Sequence, residues 1–132
     1  MQRKEISEKL KEIIAEITGF EPEEIDDDSS LSEDIGIESF DIVDINFSVE
    51  EVFGVEMGDG VFWNVRDIFE KPELIDENNV LTLEGILEIK RRIPNVDPDN
   101  EIESKASIGF TEMLAAIKVK NFIDFLEKNT GR

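Results

Sequence analysis

The chain has 132 residues, a length suited to one domain, with 14 Lys+Arg against 33 Asp+Glu, a formal net charge of −19, and neither Cys nor His. That balance argues against nucleic-acid phosphates and anionic membranes as ligands, since both require basic surface, and it points to basic partners. Without Cys or His there is no disulfide framework, no thiol catalysis, no Ser-His dyad and no ordinary zinc site. The hydrophobic fraction of 39% suffices for a core, so disorder throughout is not expected. The opening residues MQRKEISEKL contain no apolar signal segment, and no stretch approaches the roughly 18 apolar residues of a membrane span. A soluble, cytoplasmic chain is expected, with no membrane insertion and no metal.

In chain order, Ile6, Leu10, Ile13, Ile14 and Ile17 recur at helical spacing, and Gly19 stands where a C-terminal cap belongs. The stretch from Glu21 to Glu38 is acidic and broken by Pro22 and Ser29-Ser30; it reads as a long loop pinned by Phe20, Ile25, Leu31, Ile35 and Ile37. A second helix is predicted from Ser39 to Phe53, ended by Gly54. Placed about 100° apart around the axis, its residues sort into three stripes. Ile42, Ile45, Val49, Val52 and Phe53 form a wide apolar face expected to be core. Asp41, Asp44, Ser48 and Glu51 form an acidic stripe, and Phe40, Val43 and Phe47 a second apolar strip beyond it.

Val61, Phe62, Val65, Ile68 and Phe69 suggest a short amphipathic helix stopped by Pro72. Thr82 is placed to cap a helix carrying Leu83, Ile86, Leu87, Ile89 and Ile93, ended by Pro94. Residues 94–109 are polar and turn-rich and read as a linker or surface loop. Thr111 to Lys128 reads as a terminal helix with an irregularity near Val119. No segment alternates with a period of two, so an all-α fold is expected. Charge is uneven: residues 1–57 carry a net −14 and residues 58–132 a net −5.

Two acidic clusters invite a calcium reading and fail it. In the loop opened by Asp26, Asp28 and Ser30 the sixth position is Leu31, and in that of Asp97, Asp99 and Glu101 it is Ile102; both need Gly. Numerous carboxylates alone are more simply a solvated surface than a catalytic pair. The informative segment is Asp34-Ile35-Gly36-Ile37-Glu38-Ser39-Phe40-Asp41, just ahead of the second helix. Serine is a favoured N-cap, which is the plain reading of Ser39. A helix N-terminus also offers free N–H groups and partial positive charge, so a phosphodiester on that serine would be stabilised there.

On these residues the chain resembles the acyl carrier protein family. The likeness runs through Ile17-Thr18-Gly19-Phe20, Ser32-Glu33-Asp34-Ile35-Gly36-Ile37-Glu38-Ser39-Phe40-Asp41 and Glu50-Glu51-Val52-Phe53-Gly54-Val55, covering about the first 57 residues. In that family the serine of an Asp-Ser-Leu core carries 4′-phosphopantetheine, derived from coenzyme A, whose thiol holds an acyl group as a thioester. The core here is Glu38-Ser39-Phe40, so the resemblance implies attachment at Ser39 by a phosphopantetheinyl transferase. It also implies a docking surface for basic patches on acyl-loading and acyltransferase enzymes, formed by Glu38, Phe40, Asp41, Val43, Asp44, Phe47 and Glu51. The protein itself would catalyse nothing. The plain alternative is that Phe40 and Phe47 pack against the loop or the added helices.

An ordinary carrier of this family is shorter, and the resemblance implies one antiparallel four-helix bundle spanning 1–132 with an insertion at about 58–110. Either 82–89 or 111–126 is placed to be the closing helix, and the later segment fits better. That ending, with Phe47, Gly54-Val55 and Phe62-Trp63, is similar to specialised carriers that deliver very long acyl chains for lipid A in lipopolysaccharide synthesis. The expected role is thus a monomeric carrier in fatty-acid or lipopolysaccharide biosynthesis. A carrier of aminoacyl or polyketide intermediates, or an unmodified acidic interaction module, are the alternatives.

Overall fold

The computed structural model describes residues 2–57, 66–93, 95–96 and 108–130, and for Ser39, Arg66 and Thr111 the backbone alone. Within these, the helical periodicities become five α-helices and two 3₁₀ turns, with no β-strand. Helix α1 spans Arg3–Thr18 and buries Ile6, Leu10, Ile13, Ile14 and Ala15 along one face. It ends at Gly19, whose φ of +89° places it in the left-handed region while its N–H donates to the Ala15 carbonyl. The long loop that follows holds a 3₁₀ turn at Pro22–Glu24. The loop is pinned as expected, for Ile25, Leu31 and Ile35 are buried and Phe20 and Ile37 pack at the edge of the core.

Helix α2 spans Ser39–Phe53 and closes on Gly54, again left-handed with φ +69°. Its buried line is Ile45, Val49 and Phe53, spaced four apart. Val52, predicted to share that face, is 43% exposed. With Ile42 only half-buried as well, the buried arc of α2 is narrower than the wide apolar stripe of the sequence. The Glu50 carboxylate folds back to accept the Met57 N–H at 2.8 Å and fixes the chain as it leaves α2.

The short helix predicted around 61–69 is described only from 66 onward, where a 3₁₀ turn spans Arg66–Glu70; Val61, Phe62, Trp63 and Val65 lie outside the described residues. Ile68 is fully buried, and the Phe69 ring meets Phe110 edge-on at 5.5 Å between centroids. Helix α3, Leu83–Arg92, begins as predicted at Thr82, whose Oγ1 accepts the Gly85 N–H at 3.1 Å. A side chain at Gly85 would collide with the Leu74 carbonyl, so that glycine permits the close approach of α3 to the preceding turn. Ile89 and Ile93 are buried, whereas Leu83 and Leu87 face solvent. Arg92 ties α3 to the 3₁₀ turn through two hydrogen bonds to Asp67, at 2.7 and 3.0 Å.

The segment read as a linker is anchored at both of its described ends: Val96 and Ile108 are buried, and residues 97–107 lie outside the described residues. The single terminal helix of the sequence reading is two helices, α4 (Phe110–Ala115) and α5 (Val119–Thr130). The break has a specific cause. The Ile117 carbonyl accepts the Leu31 N–H at 3.0 Å, and the Val119 and Lys120 N–H groups donate to the Ser29 and Asp27 carbonyls at 3.0 and 2.8 Å. Backbone groups that would continue a helix instead bind the long loop, making the isolated antiparallel bridge between Ser30 and Lys118. Helix α1 packs against both α2 and α5, so the C-terminal helix is the one that lies against the first helix.

Candidate functional site

The chain enters α2 through a turn built by its own acidic side chains. Asp34 Oδ2 accepts the Ser30 N–H at 2.7 Å, and the Ser30 carbonyl accepts the N–H groups of Asp34 and Ile35, both at 3.1 Å. Leu31 then accepts the Ile37 N–H at 3.0 Å. The helix itself opens with Glu38 at the N-cap position and Ser39 as its first helical residue. The reading of Ser39 as the capping residue is thereby corrected. The carboxylate of Asp41 accepts the Glu38 N–H at 3.0 Å, so an acidic residue three positions into the helix closes the turn that a serine cap would have served.

Of the residues assigned to docking, Phe40, Val43 and Phe47 are 67%, 67% and 62% exposed. Among the described residues, neither the long loop nor the added helices cover Phe40 or Phe47 to the extent that packing there would require. Glu38, Asp44 and Glu51 are also exposed, while Asp41 is half-buried, in keeping with its hydrogen bond. Helix α2 therefore presents an apolar strip flanked by carboxylates. Three contiguous apolar side chains held in water are unfavourable unless they meet a partner.

This geometry accommodates a phosphodiester-linked arm. Ser39 opens a helix of 15 residues, whose N-terminal dipole favours an anion. Phe40 and Val43 leave apolar surface exposed in the first turns of the same helix. No group of three or more Asp or Glu able to hold a metal ion occurs among the described residues. In the same residues no helix is long and apolar enough to cross a membrane.

Comparison with known proteins bears on the same segment. The family of the phosphopantetheine attachment site matches residues 8–69. The chain is 35% identical over 78 residues to an acyl carrier protein of Coprothermobacter proteolyticus, a match that covers 59% of this chain and 95% of that protein. Acyl carrier proteins of a Bradyrhizobium species (strain ORS 278) and of Nitrobacter hamburgensis are each 32% identical over 74 residues, covering 56% of this chain and 94% of theirs. The chain belongs to the acyl carrier protein family. No solved structure matches it. As a member it is a carrier rather than an enzyme, its prosthetic group is covalently attached 4′-phosphopantetheine, and its partners include a phosphopantetheinyl transferase and acyl-handling enzymes. The protein supplies position and electrostatics, and the arm supplies the thiol that a Cys-free chain lacks.

Two features of this carrier site escaped the sequence reading. The first is the Ser30–Asp34 turn, whose only signal was a serine four residues ahead of an aspartate in an acidic loop. The second is the pairing of that loop with residues 117–120, which no local pattern announces.

Proposed function

We propose that this carrier holds an acyl group as a thioester on 4′-phosphopantetheine attached at Ser39 and presents it to lipid-biosynthetic enzymes, using Glu38, Phe40, Asp41, Val43, Asp44, Phe47 and Glu51 as the docking surface. The supporting observation is the placement of Ser39 as the first residue of α2, inside the family match, directly followed by an exposed strip of Phe40, Val43 and Phe47. Attachment forms a bond from the serine oxygen to the β-phosphorus of coenzyme A and breaks the phosphoanhydride. Adenosine 3′,5′-bisphosphate leaves, and the hydroxyl proton passes to a base of the transferase. Carboxylates on α2 steer basic patches of partners, and the phenylalanines supply the desolvated centre of the contact.

The chain is read as one carrier unit over 1–132, with the residues at about 58–110 inserted before the closing helix. The packing of α5 on α1 supports that arrangement. Within lipid biosynthesis, delivery of very long acyl chains to lipid A is the finer assignment. Its physical basis is that each methylene left in water forfeits about 0.8 kcal/mol, so added apolar helices favour longer cargo. The test of the primary assignment is intact-mass analysis after incubation with coenzyme A, magnesium and a broad-specificity transferase. The expected result is a gain of one phosphopantetheinyl unit by the wild type and none by Ser39→Ala. No gain by a wild-type chain that is folded by circular dichroism would favour an unmodified interaction module or a carrier that needs its own dedicated transferase.

A further inference from the structure

We propose that Asp34 is a positioning residue for the modification of Ser39, acting through a hydrogen-bonded latch that joins the C-terminal segment to the entrance of α2. The inference rests on the assignment of Ser39 made above. Residues 117–120 lie outside the family match at 8–69, yet they hold the loop that leads to Ser39. Leu31 stands at the centre of the latch with both backbone groups engaged. Its N–H donates to the Ile117 carbonyl at 3.0 Å, and its carbonyl accepts the Ile37 N–H, also at 3.0 Å. Only Glu38 separates Ile37 from Ser39. A path of two hydrogen bonds therefore runs from the break between α4 and α5 to the residue two positions before the proposed attachment site.

Asp34 sets the orientation of that central residue. Its carboxylate accepts the N–H of Ser30, which is 5% exposed, and the Ser30 carbonyl in return holds the N–H groups of Asp34 and Ile35. Ser30 Oγ accepts the Glu33 N–H at 3.1 Å and completes the turn. Beyond Ser30, buried Leu31 and Ile35 seat the turn in the core. On the opposite side, Val119 and Lys120 N–H groups take the Ser29 and Asp27 carbonyls as acceptors, so the loop caps α5 just as α5 anchors the loop. Removing the Asp34 carboxylate leaves a nearly buried N–H without this acceptor and lets the turn shift. Phosphoryl transfer depends on alignment of the attacking oxygen, and a small displacement at the helix entrance lowers the rate more than it weakens docking.

A competing role for Asp34, as one more negative charge for docking, gives a different kinetic pattern. Initial rates of phosphopantetheinyl transfer, followed by intact mass at varied carrier concentration, separate the two. The latch requires kcat for Asp34→Ala to fall about tenfold with KM changed less than about twofold. Asp34→Asn, which keeps an oxygen acceptor and loses the charge, should stay within about twofold of wild type on both constants. Equal rises in KM for Asn and Ala would assign Asp34 to docking and overturn the latch, as would an Ala variant indistinguishable from wild type. If Asp34→Ala loses its helical circular dichroism, Asp34→Glu, which keeps the charge but displaces the acceptor from the Ser30 N–H, is judged by the same kcat criterion. Amide exchange at Ile37 gives an independent reading and should accelerate in the slow variant but not in Asp34→Asn. A wild-type chain that takes no arm would remove the role of Ser39 itself, an outcome distinct from a modified wild type with an unaffected Asp34→Ala.

Discussion

Asp41 and Asp44 sit on one stripe of α2, and the expectation from sequence is that reversing both charges weakens docking and spares the fold. The structure separates them. Asp41 is half-buried and accepts the Glu38 N–H, whereas Asp44 is exposed. Asp44→Lys is expected to raise the KM for partner transfer several-fold, with stability held within about 0.5 kcal/mol. Asp41→Ala should lose about 1 kcal/mol of stability through the cap, whatever it does to docking. Phe47→Ala tests the apolar strip: at 62% exposure it should leave the unfolding midpoint nearly unchanged while costing about 1 kcal/mol or more in partner binding. A variant less stable but equally well bound would assign Phe47 to the fold instead.

Among the elements, α3 shows how a helix outside the family match is held in place. Its last turn carries Arg91 and Arg92, which bind Glu88 one turn earlier, and Arg92 also reaches Asp67 in the 3₁₀ turn. The Arg92 guanidinium, hydrogen-bonded to Asp67, holds that carboxyl below its usual range, and Glu88 is lowered to about 2, chiefly by its hydrogen bond to Arg91 and then by that to Arg92. Both carboxylates have depressed values in the folded chain, so their contribution is complete above the unfolded range near about 4 and is lost as pH falls through the folded values. The urea midpoint is thus expected to drop as pH is taken from about 4.5 toward about 2, with a shallower drop for Arg92→Met. An identical slope in the variant would place the acid sensitivity elsewhere. Fully exposed Asp28 is lowered in the same sense by Lys120, but solvent screening leaves it little weight.

For the whole molecule, a net charge of −19 acts on folding and on recognition in opposite directions. Self-repulsion opposes the compact state, and the same field draws basic partners to α2. Raising sodium chloride from about 50 to about 500 mM shortens the Debye length severalfold. The thermal midpoint should therefore rise while the KM for partner transfer also rises. A docking KM indifferent to salt would mean that the phenylalanine strip, rather than the carboxylates, governs encounter.

Helices α1, α2 and α3 were legible almost to the residue, because apolar spacing, the glycines at 19 and 54 and the cap at Thr82 are local signals whose physics does not depend on distant chain. The family resemblance and the exposed strip of α2 were legible for the same reason. What the tertiary structure alone decided lies where one segment satisfies the backbone of another. It split the terminal helix at 116–118 and left Val52 exposed, while the N-cap at Glu38, closed by Asp41 three residues on, is a local outcome that the preference for a serine cap concealed. The split follows from partners far away in sequence: a carbonyl at Ile117 prefers the Leu31 N–H to its own helix only once the loop is folded against it.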